Sequence, residues 1–112
     1  MFKNIADIRK AAANKETSSV PLWFAPSTME FFNTRVMDEV FNMGEFGSLF
    51  ITADRPDLDT EEGFAIRWAH MKDGLFHITT LGDIMAYGSL GEAWNAADGI
   101  SDALPDIVRF TR

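Results

Sequence analysis

Ser48-Leu49-Phe50-Ile51-Thr52 opens the stretch, running to Gly99, whose reading decides the fold: Leu49 to Thr52 reads as a well-buried strand and Asp54 to Gly63 as an exposed loop broken by Pro56. Phe64-Ala65-Ile66-Arg67-Trp68-Ala69-His70 and Leu75-Phe76-His77-Ile78-Thr79-Thr80 follow, and Ser89-Leu90-Gly91-Glu92-Ala93-Trp94-Asn95-Ala96-Ala97 closes it. The first three segments are rich in β-branched and aromatic residues, and the two longer ones alternate polar with apolar, as strands with one face on a core do. Lys72-Asp73-Gly74 reads as a hairpin turn with glycine where a positive φ is needed. Two registers are open. A two-residue Asp73-Gly74 loop sets His70 opposite His77, whereas a three-residue loop with a bulge parts them. In the last segment Ser89 and Glu92 make a capping box, and Leu90, Ala93, Trp94 and Ala97 form a helical stripe. That spacing predicts a helix lying across the sheet and ending at Gly99.

N-terminal to this unit, Ser27 and Glu30 match a second capping box and predict a brief helix that turns Met29 and Phe32 inward, with Phe31 open as a third inward residue, and ends near Asn33. Thr34 to Met37 fits a strand or a further turn, and residues 38–47 read as a connection of unassigned structure. Ile5, Ile8 and Ala12 recur at helical spacing among basic residues, so Phe2 to Ala13 is expected to be an amphipathic helix ended by Asn14. The polar run from Lys15 to Pro21 reads as a linker or an extended arm, so that the first helix would dock loosely. The tail from Ile100 contains Pro105 and fits either a last helical turn or coil. The expected fold class is α+β: a small antiparallel sheet of three to four strands with two or three short helices packed on it. The whole chain, 1–112, is expected to be a single domain, with 1–22 as helix and arm, 23–99 as core and 100–112 as tail.

Composition narrows the chemistry. The chain has 112 residues, of which 46% are hydrophobic, and ten Phe with three Trp supply enough apolar surface for a folded core. It has no cysteine, which excludes disulfides, thiolate nucleophiles and sulfur-ligated metals. No window approaches the roughly 18 apolar residues of a membrane span and the N-terminus lacks a signal-type run, so a cytoplasmic location is expected. The net charge is −7 and unevenly spread. Between Pro26 and Asp106 fifteen acids face four bases, whereas the N-terminal 25 residues and the tail are each net basic. An acidic body repels phosphate backbones and steers basic partners toward it.

Five acids, Asp54, Asp57, Asp59, Glu61 and Glu62, cluster between the first two strands and are the candidate partner-binding residues. A calcium loop is not expected: counted from Asp57, Glu62 falls where an EF-hand turns on glycine and Trp68 where it needs a bidentate Glu. His70 and His77 lack a third ligand, so no metal site is expected. The serines sit at caps or in the arm, there is no nucleophile elbow, and Gly44-Glu45-Phe46-Gly47 matches no phosphate-binding pattern. Catalytic residues, cofactors and enzyme activity are therefore not expected. Trp23-Phe24, Phe31-Phe32 and Phe46 read as core or as an aromatic partner patch. Arg67, between Ile66 and Trp68, points away from their core or reaches a carboxylate.

The run Trp23-Phe24-Ala25-Pro26-Ser27-Thr28-Met29-Glu30-Phe31-Phe32-Asn33-Thr34-Arg35-Val36, with Leu49 to Asp54, Phe64 to Trp68, Leu81-Gly82-Asp83 and Tyr87 to Ala97, resembles a family of small phage and prophage proteins of unknown function. The resemblance implies a phage or mobile-element origin and no activity. Residues 49–97 are also similar in spacing to the three-stranded-sheet-plus-helix domain of phage integrases, whose sheet binds DNA. Those sheets carry Lys and Arg toward phosphates; this hairpin has Arg67 and Lys72 beside a loop of five acids, so direct nucleic-acid binding through the sheet is not expected. The resulting expectation is a small acidic, non-enzymatic, phage-type protein that binds and modulates a host protein with a basic surface. One form is inhibition of a nucleic-acid-binding or CRISPR-type defence protein by DNA mimicry. The alternatives are a nucleic-acid-binding regulator acting through the basic N-terminal helix, or a structural or assembly protein.

Overall fold

The computed structural model describes residues 2–111, with side chains through residue 108. Helix α1 (Ile5–Ala13) and helix α2 (Pro26–Phe31) precede strand β1 (Arg35–Asn42). A 3-10 turn (Gly44–Phe46) leads to β2 (Ser48–Asp54), β3 (Gly63–Lys72), β4 (Leu75–Leu81) and helix α3 (Leu90–Thr111). The strands form one antiparallel sheet in sequence order, and the fold is α+β. Lys72 pairs with Leu75, so the hairpin loop is the two residues Asp73 and Gly74, both at positive φ, and His70 faces His77.

Alternation divides the sheet into two covered faces. Leu49, Ile51, Ala53, Phe64 and Ile66 turn toward α3, which buries Ala93 and Ala97 against them. The helix does not stop at Gly99, and the boundary expected between core and tail falls inside it. Gly99 and Pro105 cost about 1 and 3 kcal/mol in a helix interior. The apolar stripe continues through Ile100, Leu104 and Val108, which pack on the same core and offset that cost. At the start of α3 Ser89 caps the helix, its Oγ accepting from the Glu92 N–H at 3.2 Å, while the Glu92 carboxylate reaches one residue beyond the expected partner and accepts from the Gly88 N–H at 3.3 Å.

The opposite face is built on Phe50, Ala69 and Phe76 and is closed by Phe2, Ile8 and Ala12. Asn4 caps α1 by accepting from the Asp7 N–H at 2.9 Å. The arm is not loose. Ser19 N–H donates to the Phe76 carbonyl at 2.9 Å and Phe76 N–H to the Thr17 carbonyl at 2.8 Å, so the arm is fastened to β4 by a parallel bridge between Ser18 and Phe76. It thereby pairs the outward backbone groups of Phe76 at the start of this edge strand. At the other edge β1 is irregular between Val36 and Val40, where the register slips, and Asp38 and Glu39 lie exposed in that irregularity.

Helix α2 departs from expectation. Its N-cap is Ala25 and Ser27 lies inside the helix without capping it, because Pro26, with fixed φ and no N–H, starts the helix one residue earlier. None of its residues is buried. Met29 is half-buried and Phe31 is 74% exposed.

Candidate functional site

One end of the sheet gathers most of the residues singled out by the sequence. There β2 leaves the core at Asp54, β3 enters at Gly63, and α2 sits beside the loop between them. Asp54 is the last residue of β2 and is fully buried, so it cannot touch a partner as the acidic-loop reading required. The reason is register: Thr52, Asp54 and Arg67 fall on one face, beneath the arm and α2. Arg67 Nη2 lies 3.3 Å from Asp54 Oδ2 and Arg67 Nε donates to Thr52 Oγ1 at 3.0 Å. Arg67 Nη1 donates to Thr80 Oγ1, and the Thr34 hydroxyl donates to Asp54 Oδ1, both at 2.5 Å. Trp23 caps the guanidinium, its ring centroid 5.4 Å away. Burial holds the Arg67 pKa below its ordinary value, opposed by the charge of Asp54 and the hydrogen bond to it. Among the described residues no buried side-chain polar atom lacks a partner.

The other four acids fare differently. Glu62 is occupied: Arg35 grips it through Nε at 3.1 Å and Nη2 at 2.6 Å, and that hydrogen bond with its charge raises the arginine's pKa. Asp57, Asp59 and Glu61 are exposed, and among the described residues no cation pairs with them. The loop that carries them is braced from within. Arg55 Nε donates to the Thr60 carbonyl at 3.0 Å and Nη2 to the Leu58 carbonyl at 2.7 Å. Asp59 N–H donates to Asp57 Oδ1 at 3.1 Å. Arg55 N–H in turn bonds the Phe32 carbonyl at 2.8 Å, and Asn33 Nδ2 bonds the Arg55 carbonyl at 2.8 Å, which ties the loop to the end of α2.

A groove of about 620 Å³ opens at the opposite end, between the 3-10 turn, the β3–β4 hairpin and Val108 of α3. Trp68 and His70 stack at 3.9 Å, His70 and His77 at 5.7 Å, and His70 Nε2 is 2.8 Å from Thr79 Oγ1. His77 Nδ1 is 2.9 Å from Ser19 Oγ of the arm. Burial lowers the His70 pKa from the ordinary 6.5, with His77 and Lys72 adding to the effect and a backbone bond to Met71 opposing it. The fold thus favours the neutral ring, and the unfolded chain takes up the proton first. His70 contributes stability that is present above about pH 6.5 and lost as the pH falls below it. Replacing His70 by Gln is expected to narrow the difference in urea midpoint between about pH 7.5 and pH 5.5. An unchanged difference would exclude the assignment. No cluster of three metal-ligating side chains exists among the described residues.

A family model matches residues 4–98, most of the chain. The chain belongs to the DUF7447 family, a family of unknown function. No curated protein and no solved structure gives a significant match. In this DUF7447 chain no helix among the described residues is long and apolar enough to cross a membrane. Sequence reasoning missed the bracing role of Arg55, for which an arginine beside Pro56 at the mouth of an acidic loop was the available signal. It left open whether Arg67 reaches a carboxylate; the structure shows that Asp54 is that carboxylate.

Proposed function

We propose that this protein acts without catalysis, as a small acidic phage-type protein that occupies the basic surface of a host protein and so modulates it. The observation that carries this reading is the charge left over after folding. Two of the fifteen acids between Pro26 and Asp106 and two of the four bases are spent on the Arg35–Glu62 and Arg67–Asp54 pairs, leaving thirteen acids against Arg55 and Lys72. All thirteen are exposed. On α3, Asp98, Asp102 and Asp106 recur every fourth residue, a rise of about 6 Å between carboxylates along the helix axis. Such rows present to a nucleic-acid-binding protein the polyanion it is built to hold. A nuclease of a host defence system, of the CRISPR type among others, is a target with the required basic groove.

The reading is tested by charge reversal at exposed positions that do not support the fold. Asp59→Lys with Glu61→Lys is expected to weaken capture of a purified basic nucleic-acid-binding host protein by about tenfold, and added duplex DNA is expected to compete with the wild-type chain. Undiminished capture sinks the proposal. Saturable binding of labelled duplex DNA at low salt, lost on Lys3→Glu with Lys10→Glu, would instead favour a nucleic-acid regulator acting through α1. Both lysines are exposed, so these changes leave the core intact.

A further inference from the structure

Nine large hydrophobic side chains are exposed among the described residues, and four of them, Leu22, Phe31, Leu58 and Ile84, collect at the α2 end of the sheet. Leu58 is 82% exposed at the tip of the loop that Arg55 braces, and Phe31 is 74% exposed at the end of α2 to which that loop is tied. Thr28 Oγ1 donates to the Leu22 carbonyl at 2.7 Å, holding Leu22 to the same helix. A groove of about 330 Å³ runs along Ser27, Thr28, Phe31 and Phe32, and Ile84 borders the adjoining hollow above the buried arginine. An apolar patch rimmed by polar residues marks an interaction surface more often than a random piece of exterior does.

We infer that this end is a docking surface for an amphipathic, lysine- or arginine-rich helix of a partner protein. The inference rests on the proposed acidic-protein function and locates it. Charge selects the partner: Glu30, Asp57, Asp59, Glu61 and Asp83 rim the patch, while its arginines are engaged, Arg35 by Glu62, Arg55 by loop carbonyls and Arg67 by Asp54. Backbone accounting selects the shape. The carbonyls of Leu58, Thr60, Phe32 and Arg55 each already accept a hydrogen bond from within the chain, and what the patch presents is the side chains of Phe31 and Leu58. A helix, whose backbone is satisfied internally, docks through side chains alone. Aliphatic residues on one face of it meet Phe31 and Leu58, and flanking cations meet the acidic rim.

The test uses the whole chain, isotope-labelled, titrated with a synthetic Leu/Lys peptide that forms an amphipathic helix and with a control in which Ser replaces Leu at equal charge. Saturable shifts of backbone resonances are expected in residues 22–34, 55–62 and 82–85 with the Leu/Lys peptide. Phe31→Ser with Leu58→Ser is expected to weaken that binding at least about tenfold, with an unchanged circular dichroism spectrum. Equal binding of the Ser/Lys control, shifts confined to α3, or indifference to the double substitution each overturns the site. Failure of both peptides to bind also overturns it. The charge reading is judged separately, on the reversed variants above, so the two failures remain distinguishable.

Discussion

Asp54→Ala is expected to cost the fold about 3–5 kcal/mol, the range for removing one partner of a buried ion pair. Arg67 would keep its charge in a site from which water is largely excluded, and the Thr34 hydroxyl would lose its acceptor. Against a total stability of about 5–15 kcal/mol, such a loss removes between about a fifth and all of it. The size of the effect follows from what the pair joins: β2 through Thr52 and Asp54, β4 through Thr80, the residue before β1 through Thr34, and the segment before α2 through Trp23. Urea unfolding measures it. The pair replaced together, Asp54→Leu with Arg67→Met, should lose less than Asp54→Ala alone, because no charge is then stranded. A single variant within about 1 kcal/mol of wild type would show that the cluster is not structural.

Gly47→Ala is expected to be comparably damaging for a different reason. Gly47 stands at φ 93° and ψ −150°, a region essentially closed to residues with a side chain. A β-carbon there would lie 2.1 Å from the carbonyl oxygen of Ala69, a backbone atom fixed in β3. Strain of about 1–3 kcal/mol from the backbone and a similar amount from overpacking combine. Gly44→Ala is the control. Its φ is also positive, at 62°, but nothing stands within 4 Å of the added carbon, so a loss of about 1–2 kcal/mol is expected. Thermal unfolding of the two variants decides: equal melting temperatures would rule out the contact with Ala69.

Much of this fold could be read from local pattern. Alternation placed β3 and β4, Lys72-Asp73-Gly74 marked the hairpin though not its register, and Ser89 with Glu92 started α3, since each depends on residues within a few positions of one another. The parts that escaped depend on distant partners. Gly99 and Pro105 speak against a helix locally, and only the sheet beneath Ile100, Leu104 and Val108 outweighs them. β1 was hidden because its register slips around Met37 to Glu39, which breaks the period of two. Ser27 looked like a cap until Pro26 took the first helical position. Within the candidate site the acidic loop was legible as a charge cluster, but which acids remain available was not. Asp54 faces inward by its register opposite Gly63, and Glu62 is claimed by an arginine twenty-seven residues away. No sequence pattern announced the exposure of Phe31, because an aromatic pair is ordinarily core.

The two edges of the sheet are guarded by unlike means. The arm along β4 is part of the chain and travels with it at any ionic strength, whereas β1 is kept from pairing with a second copy by its irregular backbone and by Asp38 and Glu39. Charge is a conditional guard, because salt screens it. The two edges therefore differ in kind: β4 is fastened at Phe76 by the chain itself, whereas the protection that Asp38 and Glu39 give β1 weakens as salt rises.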